Sequence, residues 1–370
     1  MNRNIALIID PYTRPGLTFD LVEDHFFKVL RQLKKEADLN KECIVLFLMS
    51  TLETVLLTEL YPEVVIPMKE VAVATGIHQV YFVTDSSSGD LLRKQDILGK
   101  YVNYKDIPRI EVAYYMLWSY NRIFVKRQPY NQILNTKTDK CLFLTGKAIG
   151  AHRIGLLSKF YQRKMMNRLE WSLFVNDQII ESSRAFVGDM SDTEYSTFIS
   201  SCTRNPDSIS IEMQPGSSHY CGYPYDVNLY TSTSLSIISE TSEEMLSSAM
   251  FSEKTWKTIV NKHPFILAAK AGSLTRLGSL GFRTFQEYMC TPEYDTIVDI
   301  EDRMQAVVDN AEFFLDNYLL NEENIIRDVE YNFKLYAELV RAELYRVDQI
   351  TGPGITEKLL FASPDIYKLY

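Results

Sequence analysis

The stretch SLSIISETSEEMLSSAMFSEKTWKTIVNKHPFILAAKAGSLTRLGSLGFRTF, Ser234 to Phe285, decides the fold. Its opening, Leu235 to Ile238, reads as a short apolar strand that runs into a carboxylate, Glu240. A polar loop follows. Phe251-Ser252-Glu253-Lys254 then opens a helix, with Ser252 as N-cap and Glu253 in the first turn. After His263-Pro264 a second apolar run, Phe265 to Ala269, ends in Lys270-Ala271-Gly272-Ser273, and another helix starts near Ser273. Strand, carboxylate, helix, strand, small-residue turn and helix are the grammar of an α/β fold with a parallel sheet. Ligands of such sheets sit at the carboxyl ends of the strands. Glu240, Glu253, Lys254 and the Gly272-Ser273 turn are therefore expected to share one cleft.

The same residues resemble the donor-binding half of the GT-B glycosyltransferases. The α1,3-fucosyltransferases carry a Glu-Asn pair, then Tyr-Val-Thr-Glu-Lys, then a Val-Pro-Val strand ending in Gly. The matching residues are Glu240-Thr241, Met250-Phe251-Ser252-Glu253-Lys254 and Pro264-Phe265-Ile266. A group of phage and large-virus glycosyltransferase-like proteins is closer in pattern. The chain shares with it Ser239-Glu240-Thr241, Glu253-Lys254, Pro264-Phe265-Ile266, Gly272-Ser273-Leu274 and Leu280-Gly281-Phe282-Arg283-Thr284-Phe285. It departs at Ser252, where Thr is usual, and at Lys270, where a small residue is common. The resemblance extends from Cys141 to Arg303. It implies a GT-B-like architecture, two Rossmann-like domains with C-terminal helices crossing back. The boundaries expected are 1–135 for an acceptor-side α/β domain, 136–310 for a nucleotide-sugar-binding domain and 311–370 for a helical extension.

Upstream of this core, Cys141 to Leu144 is the first strand of the second domain, after a polar linker at Asn131 to Lys140. Thr145-Gly146-Lys147-Ala148-Ile149-Gly150-Ala151-His152-Arg153 follows as a turn, then a helix from about Ile154. A Gly-containing turn there can present backbone N–H groups to phosphate. It is not a P-loop, because its Gly-Lys lacks the required spacing to an earlier Gly. By resemblance, His152-Arg153 match the viral His-Arg pair, and Arg153 contacts the donor diphosphate; the plainer alternative is a solvated arginine at a helix start. Farther upstream, Ile5–Ile9, Ile44–Met49 and Val80–Thr84 read as strands of an N-terminal α/β domain. The first and third lead into Asp10 and Asp85. Downstream, Asp299 to about Arg346 is helical.

Length and composition suit two folded domains: 370 residues, ordinary apolar and aromatic content, and no run of the roughly 20 apolar residues needed to cross a bilayer. The five cysteines lack any CxxC pair, which argues against a zinc site or a disulfide framework and points to a reducing, cytoplasmic setting. The net charge of −9 hides a polarity. Arg122 to Arg168 holds eleven Lys or Arg against one acid, Asp139, whereas Asp299 to Asp348 holds thirteen acids against five bases. The plain interpretation is two oppositely charged helical surfaces; the sharper one is a basic face for phosphates.

A nucleotide-sugar donor asks for a carboxylate on its ribose, cations or helix N-termini on the diphosphate, and a general base for the acceptor hydroxyl. The resemblance gives Glu253 the ribose, Lys254 and Arg153 the phosphates, and Glu240 the donor sugar or the loop beside it. His263 reads as structural. The base is expected from the N-terminal domain, Asp10 ahead of Asp85, since both follow strands. No metal and no cofactor beyond the donor is expected, and displacement is inverting by resemblance. The viral resemblance implies DNA as the acceptor, a hydroxymethylated base in phage DNA held by Arg163, Lys164 and Arg168, with a glycan as the alternative. The DNA alternative requires the acidic C-terminal helix to face away from those residues. A non-catalytic nucleotide- or nucleic-acid-binding protein is the rival from another class.

Overall fold

Short runs of β-branched and large apolar residues become parallel strands in both halves of the chain. The computed structural model describes residues 4–11, 43–50, 79–85, 109–112, 138–147, 151–174, 190–203, 227–240, 251–351 and 368–369, with single residues at 27, 31, 35, 70, 71, 74, 184 and 187. The chain divides into two units, Met1–Arg122 with Leu339–Tyr370, and Ile123–Glu338.

The first unit holds strands β1 (Asn4–Pro11), β2 (Cys43–Ser50), β3 (Gln79–Asp85) and β4 (Arg109–Val112). They lie parallel in sequential order, with the final strand of the chain, Lys368–Leu369, added on the far side of β1. Asp10 falls inside β1, paired with Lys368, and Asp85 closes β3. The sequence also reads as helix from Asp20 to Lys35 and from Leu52 to Leu60 and as strand from Arg122 to Val125; apart from Phe27, Arg31 and Lys35, these lie outside the described residues.

The second unit is a four-stranded parallel sheet of β5 (Cys141–Lys147), β6 (Leu169–Phe174), β7 (Leu235–Ser239) and β8 (Phe265–Ala268), in the order β6-β5-β7-β8. Every residue of β7 and β8 is buried, as expected for parallel strands covered on both faces. Helices α1 (Ala151–Gln162), α2 (Asp192–Thr203), α3 (Val227–Thr231), α4 (Glu253–Val260) and α5 (Ser273–Ser279) connect them. One expectation is corrected. The turn predicted after Leu144 is strand as far as Lys147, and its register on β6 shifts between Leu144 and Lys147. Gly146 lies within that shift, the usual place for glycine in a strand interior. The helix correspondingly begins at Ala151, so His152 and Arg153 stand in its first turn rather than ahead of it.

Local signals set most helix ends. Ser252 caps α4, its hydroxyl accepting from Lys254 N at 3.3 Å. Ser191 and Glu194 form a reciprocal capping box on α2: Ser191 N donates to Glu194 Oε2 at 2.9 Å and Glu194 N to Ser191 Oγ at 3.3 Å. Two helices end in Schellman turns. Lys164 (φ 61°) ends α1, with Met165 N donating to Phe160 O and Lys164 N to Tyr161 O. Lys262 (φ 52°) ends α4 in the same way, through His263 N to Thr258 O.

The last helix, α6 (Ile300–Thr351), belongs to the second unit up to Glu338. There it buries Val307, Ala311, Phe314, Tyr318, Ile325 and Val329, a stripe at helical spacing. Buried polar residues on that stripe hold the preceding chain in place. Asn310 bonds both backbone groups of Thr291, Asn332 both of Arg283, and Asp328 accepts from Tyr288 Oη at 2.6 Å. The Leu280–Phe285 motif is thereby pressed into the core, where Phe282 meets Trp256 and Phe285 meets Phe265.

Candidate functional site

The strand order places a crevice. From β5 the chain moves outward to β6, then returns to lay β7 on the opposite side of β5. Such a reversal opens a gap at the carboxyl ends of the two neighbouring strands, because their following segments leave in opposite directions. His152-Arg153 stand in the helix that follows β5, and Ser239-Glu240 at the end of β7. They meet across the reversal. The Glu240 backbone is hydrogen-bonded to the His152 ring, and its carbonyl also accepts from Arg153 Nη2 at 3.4 Å.

These groups are deeply buried although they are polar: His152 is 7% exposed, Arg153 and Glu240 2%, and Ser239 0%. The His152 imidazole is pushed down to about 3, first by burial, then by Arg153, with Arg303 and Lys254 acting in the same sense. The Glu240 bond pulls the other way. Arg153, Arg303 and Lys254, from three helices, thus act on a histidine that burial keeps neutral, beside the buried Glu240 carboxylate. The tautomer follows from the bonds. The Glu240 amide is engaged by Ala268 O at 3.2 Å, so its carbonyl is what the ring meets. His152 Nε2 has no hydrogen-bond partner among the described residues, so Nδ1–H donates to that carbonyl and Nε2 keeps its lone pair. Ser239 Oγ and Ser273 Oγ, at the ends of β7 and after β8, are likewise buried without a partner there.

The two helix starts beyond β7 and β8 are already occupied. Glu240 Oε1 accepts from Ser252 N at 3.0 Å and Thr255 Oγ1 at 2.6 Å, so part of its carboxylate holds the start of α4. Lys254 Nζ lies 3.3 Å from Ser252 Oγ. Glu253 is the first residue of α4, and its side chain lies outside the described residues. At α5, Gly272 adopts φ 85°, and Asp295 supplies the cap: its two carboxylate oxygens accept from Leu274 N and Thr275 N, each at 3.0 Å. Ser273 N donates to Lys270 O. The Gly272-Ser273 turn therefore brings the Ser273 hydroxyl to the strand ends, while the amides that follow it serve a carboxylate of the chain itself.

The basic run and the acidic run face each other. Arg163 Nε donates to Glu312 at 2.8 Å and Arg163 Nη2 lies 3.5 Å from Asp309. Arg168 pairs with Asp316 at 2.8 Å and with Asp139, and Lys159 with Glu301 at 2.9 Å. The condition that α6 turn away from Arg163 and Arg168 is not met. Lys164, the helix-ending residue between them, is exposed. His263 has the structural role expected of it: Nε2 donates to Thr233 O and Nδ1 accepts from Ser236 Oγ, both at 2.8 Å, and burial pushes its pKa down to about 4.

Sequence reasoning left out three participants. Arg303 stands in the first turns of α6, and only the fold brings it to His152. Asp295 caps a helix more than twenty positions upstream. Ser239 lay within a quoted motif without an assigned role. The side chains of Asp10 and Asp85 lie outside the described residues. Among the described residues no three His, Cys, Asp or Glu side chains are grouped as a metal site, and no helix is long and apolar enough to cross a membrane. No protein-family model, curated protein or solved structure matches the chain.

Proposed function

We propose that the chain is a glycosyltransferase of GT-B architecture that draws a sugar from a nucleotide-sugar donor at the strand ends of the second unit. One observation carries the reading: at the strand-order reversal of this sheet the buried Arg153 reaches the Glu240 carbonyl at 3.4 Å, and Arg303 and Lys254 act with it on His152. A diphosphate leaving group gains charge as the glycosidic bond breaks, and cations in a desolvated crevice stabilise that charge more in the transition state than in the ground state. Arg153 and Lys254 take that role, Glu240 braces the start of α4 beside them, and Glu253 takes the ribose by resemblance. Asp10 and Asp85 of the first unit remain, by resemblance, the candidates for the acceptor's general base. Asp10 is preferred to Asp85 because it stands where β1 lies between β2 and the last strand, the order reversal of that sheet.

The ion pairs of Arg163 and Arg168 favour a glycan or other small hydroxyl acceptor over DNA, since those guanidinium groups are engaged by acids of α6. A protein that binds nucleotides without turnover is the alternative of another class. A thermal-shift screen of nucleoside diphosphates and nucleotide sugars, followed by an assay of diphosphate release, separates the two. The enzyme releases nucleoside diphosphate from one donor, whereas a binder shifts its melting temperature and releases nothing. A protein that shows neither response has a different function.

A further inference from the structure

We propose that His152 reads a hydrogen-bond donor on the bound ligand, a hydroxyl of its ribose or of the sugar to be transferred, and makes no bond to phosphate. The inference rests on the nucleotide-sugar reading and adds a point of recognition to it. Its basis is the direction of the ring's hydrogen bonds. Nδ1–H is committed to the Glu240 carbonyl, and the buried Nε2 lone pair has no partner among the described residues. A buried acceptor left alone is costly, so a ligand that fills the crevice gains by bringing a donor to it. Phosphate oxygens are acceptors and would oppose the lone pair. For Nε2 to donate, the ring must take up a proton, against its burial and against Arg153, Arg303 and Lys254. Glu240 meets the ring through its backbone carbonyl, while its Oε1 accepts from Ser252 N and Thr255 Oγ1 at the start of α4. Ser239 and Ser273 cannot discriminate in this way, since a hydroxyl both donates and accepts. The anion thus falls to the cations, and His152 is left to sense whether a hydroxyl lies beside it.

The test is calorimetry of the full chain with sulfate, UDP, GDP and the sugar conjugates of the two nucleotides, for wild type and His152→Asn. The asparagine amide can replace Nδ1–H on the Glu240 carbonyl while deleting the acceptor at Nε2. Sulfate, which carries no O–H at these pH values, should bind both proteins within about twofold. The nucleotide ligand should bind the variant on the order of tenfold more weakly. If the nucleoside diphosphate alone shows the loss, the hydroxyl is on the ribose; if only the sugar conjugate does, it is on the transferred sugar. In wild type, binding enthalpies in buffers of different ionisation heat should show no proton uptake at pH 7.5 or 5.5, a reading that does not depend on the variant folding. Unchanged nucleotide affinity in the variant overturns the proposal and leaves the site reading standing. So does sulfate binding that draws a proton onto wild type and weakens in the variant. If none of these ligands binds wild type, the site reading itself fails and the proposal fails with it.

Discussion

Removing the Asp295 carboxylate should uncover an anion site that the fold now fills with its own side chain. In Asp295→Ala the buried Leu274 amide loses its acceptor, at a cost of about 1–3 kcal/mol. Thr275 N and Oγ1, which donate at 3.0 and 3.2 Å, belong to an exposed residue and can return to water, so they add less. Loss of a negative charge at the start of α5 adds roughly 0.3–1 kcal/mol. The sum is about 3 kcal/mol, and Asp295→Asn, which keeps one oxygen, should lose about half as much. Urea unfolding followed by tryptophan fluorescence measures it, in a Trp118→Phe background so that the reporters Trp171 and Trp256 both belong to the second unit. Sulfate should raise the midpoint of Asp295→Ala more than that of wild type, since the freed amides and helix start can take an anion. A loss below about 1 kcal/mol, or equal sulfate effects on both proteins, would refute the capping account.

Three further outcomes are expected. His263 favours its neutral form in the fold, about 4 against 6.5, so an unfolded chain takes up the proton first as pH falls. The contribution of His263 to stability should be full above pH 6.5 and fall by up to roughly 3 kcal/mol toward pH 4, while His152, at about 3, adds to the loss and carries it on toward pH 3; urea midpoints across that range check it. Reversing Arg163 and Arg168 to Glu sets two acids against Asp309, Glu312 and Asp316, and should cost about 1–2 kcal/mol, more at low salt; equal stability of variant and wild type would show the pairs to be idle. Lys164→Gly relieves a left-handed backbone at the end of α1 and should gain on the order of 0.5–1 kcal/mol, read as a higher thermal midpoint.

What could be read from the sequence was local. β7, β8, the Ser252 cap and the start of α5 at Ser273 are each specified within a few residues, and each stands where the pattern put it. The end of β5 was misplaced because a glycine after an apolar run signals a turn more often than a bulge, and only pairing with β6 decides between them. Non-local partners were illegible. Nothing near Gly272 announces that Asp295 will occupy the amides after it, and nothing in a basic run announces that an acidic helix more than a hundred residues later will neutralise it. The charge asymmetry was visible; its internal pairing was a property of the fold. Glu240 shows the same limit. Its position at a strand end was evident, while its carboxylate's task at the start of α4 depends on Ser252 and Thr255 arriving from beyond the intervening loop.

The most direct test of the central claim is release of nucleoside diphosphate from UDP-, GDP- and ADP-sugars by wild type and Lys254→Ala, in excess EDTA. Wild type should release diphosphate from one donor class without added metal. The variant should lose more in kcat than it gains in KM, because the ammonium acts on charge that develops with bond breaking. No release from any donor, or release that demands Mg²⁺ or Mn²⁺ and ignores Lys254, would contradict the account.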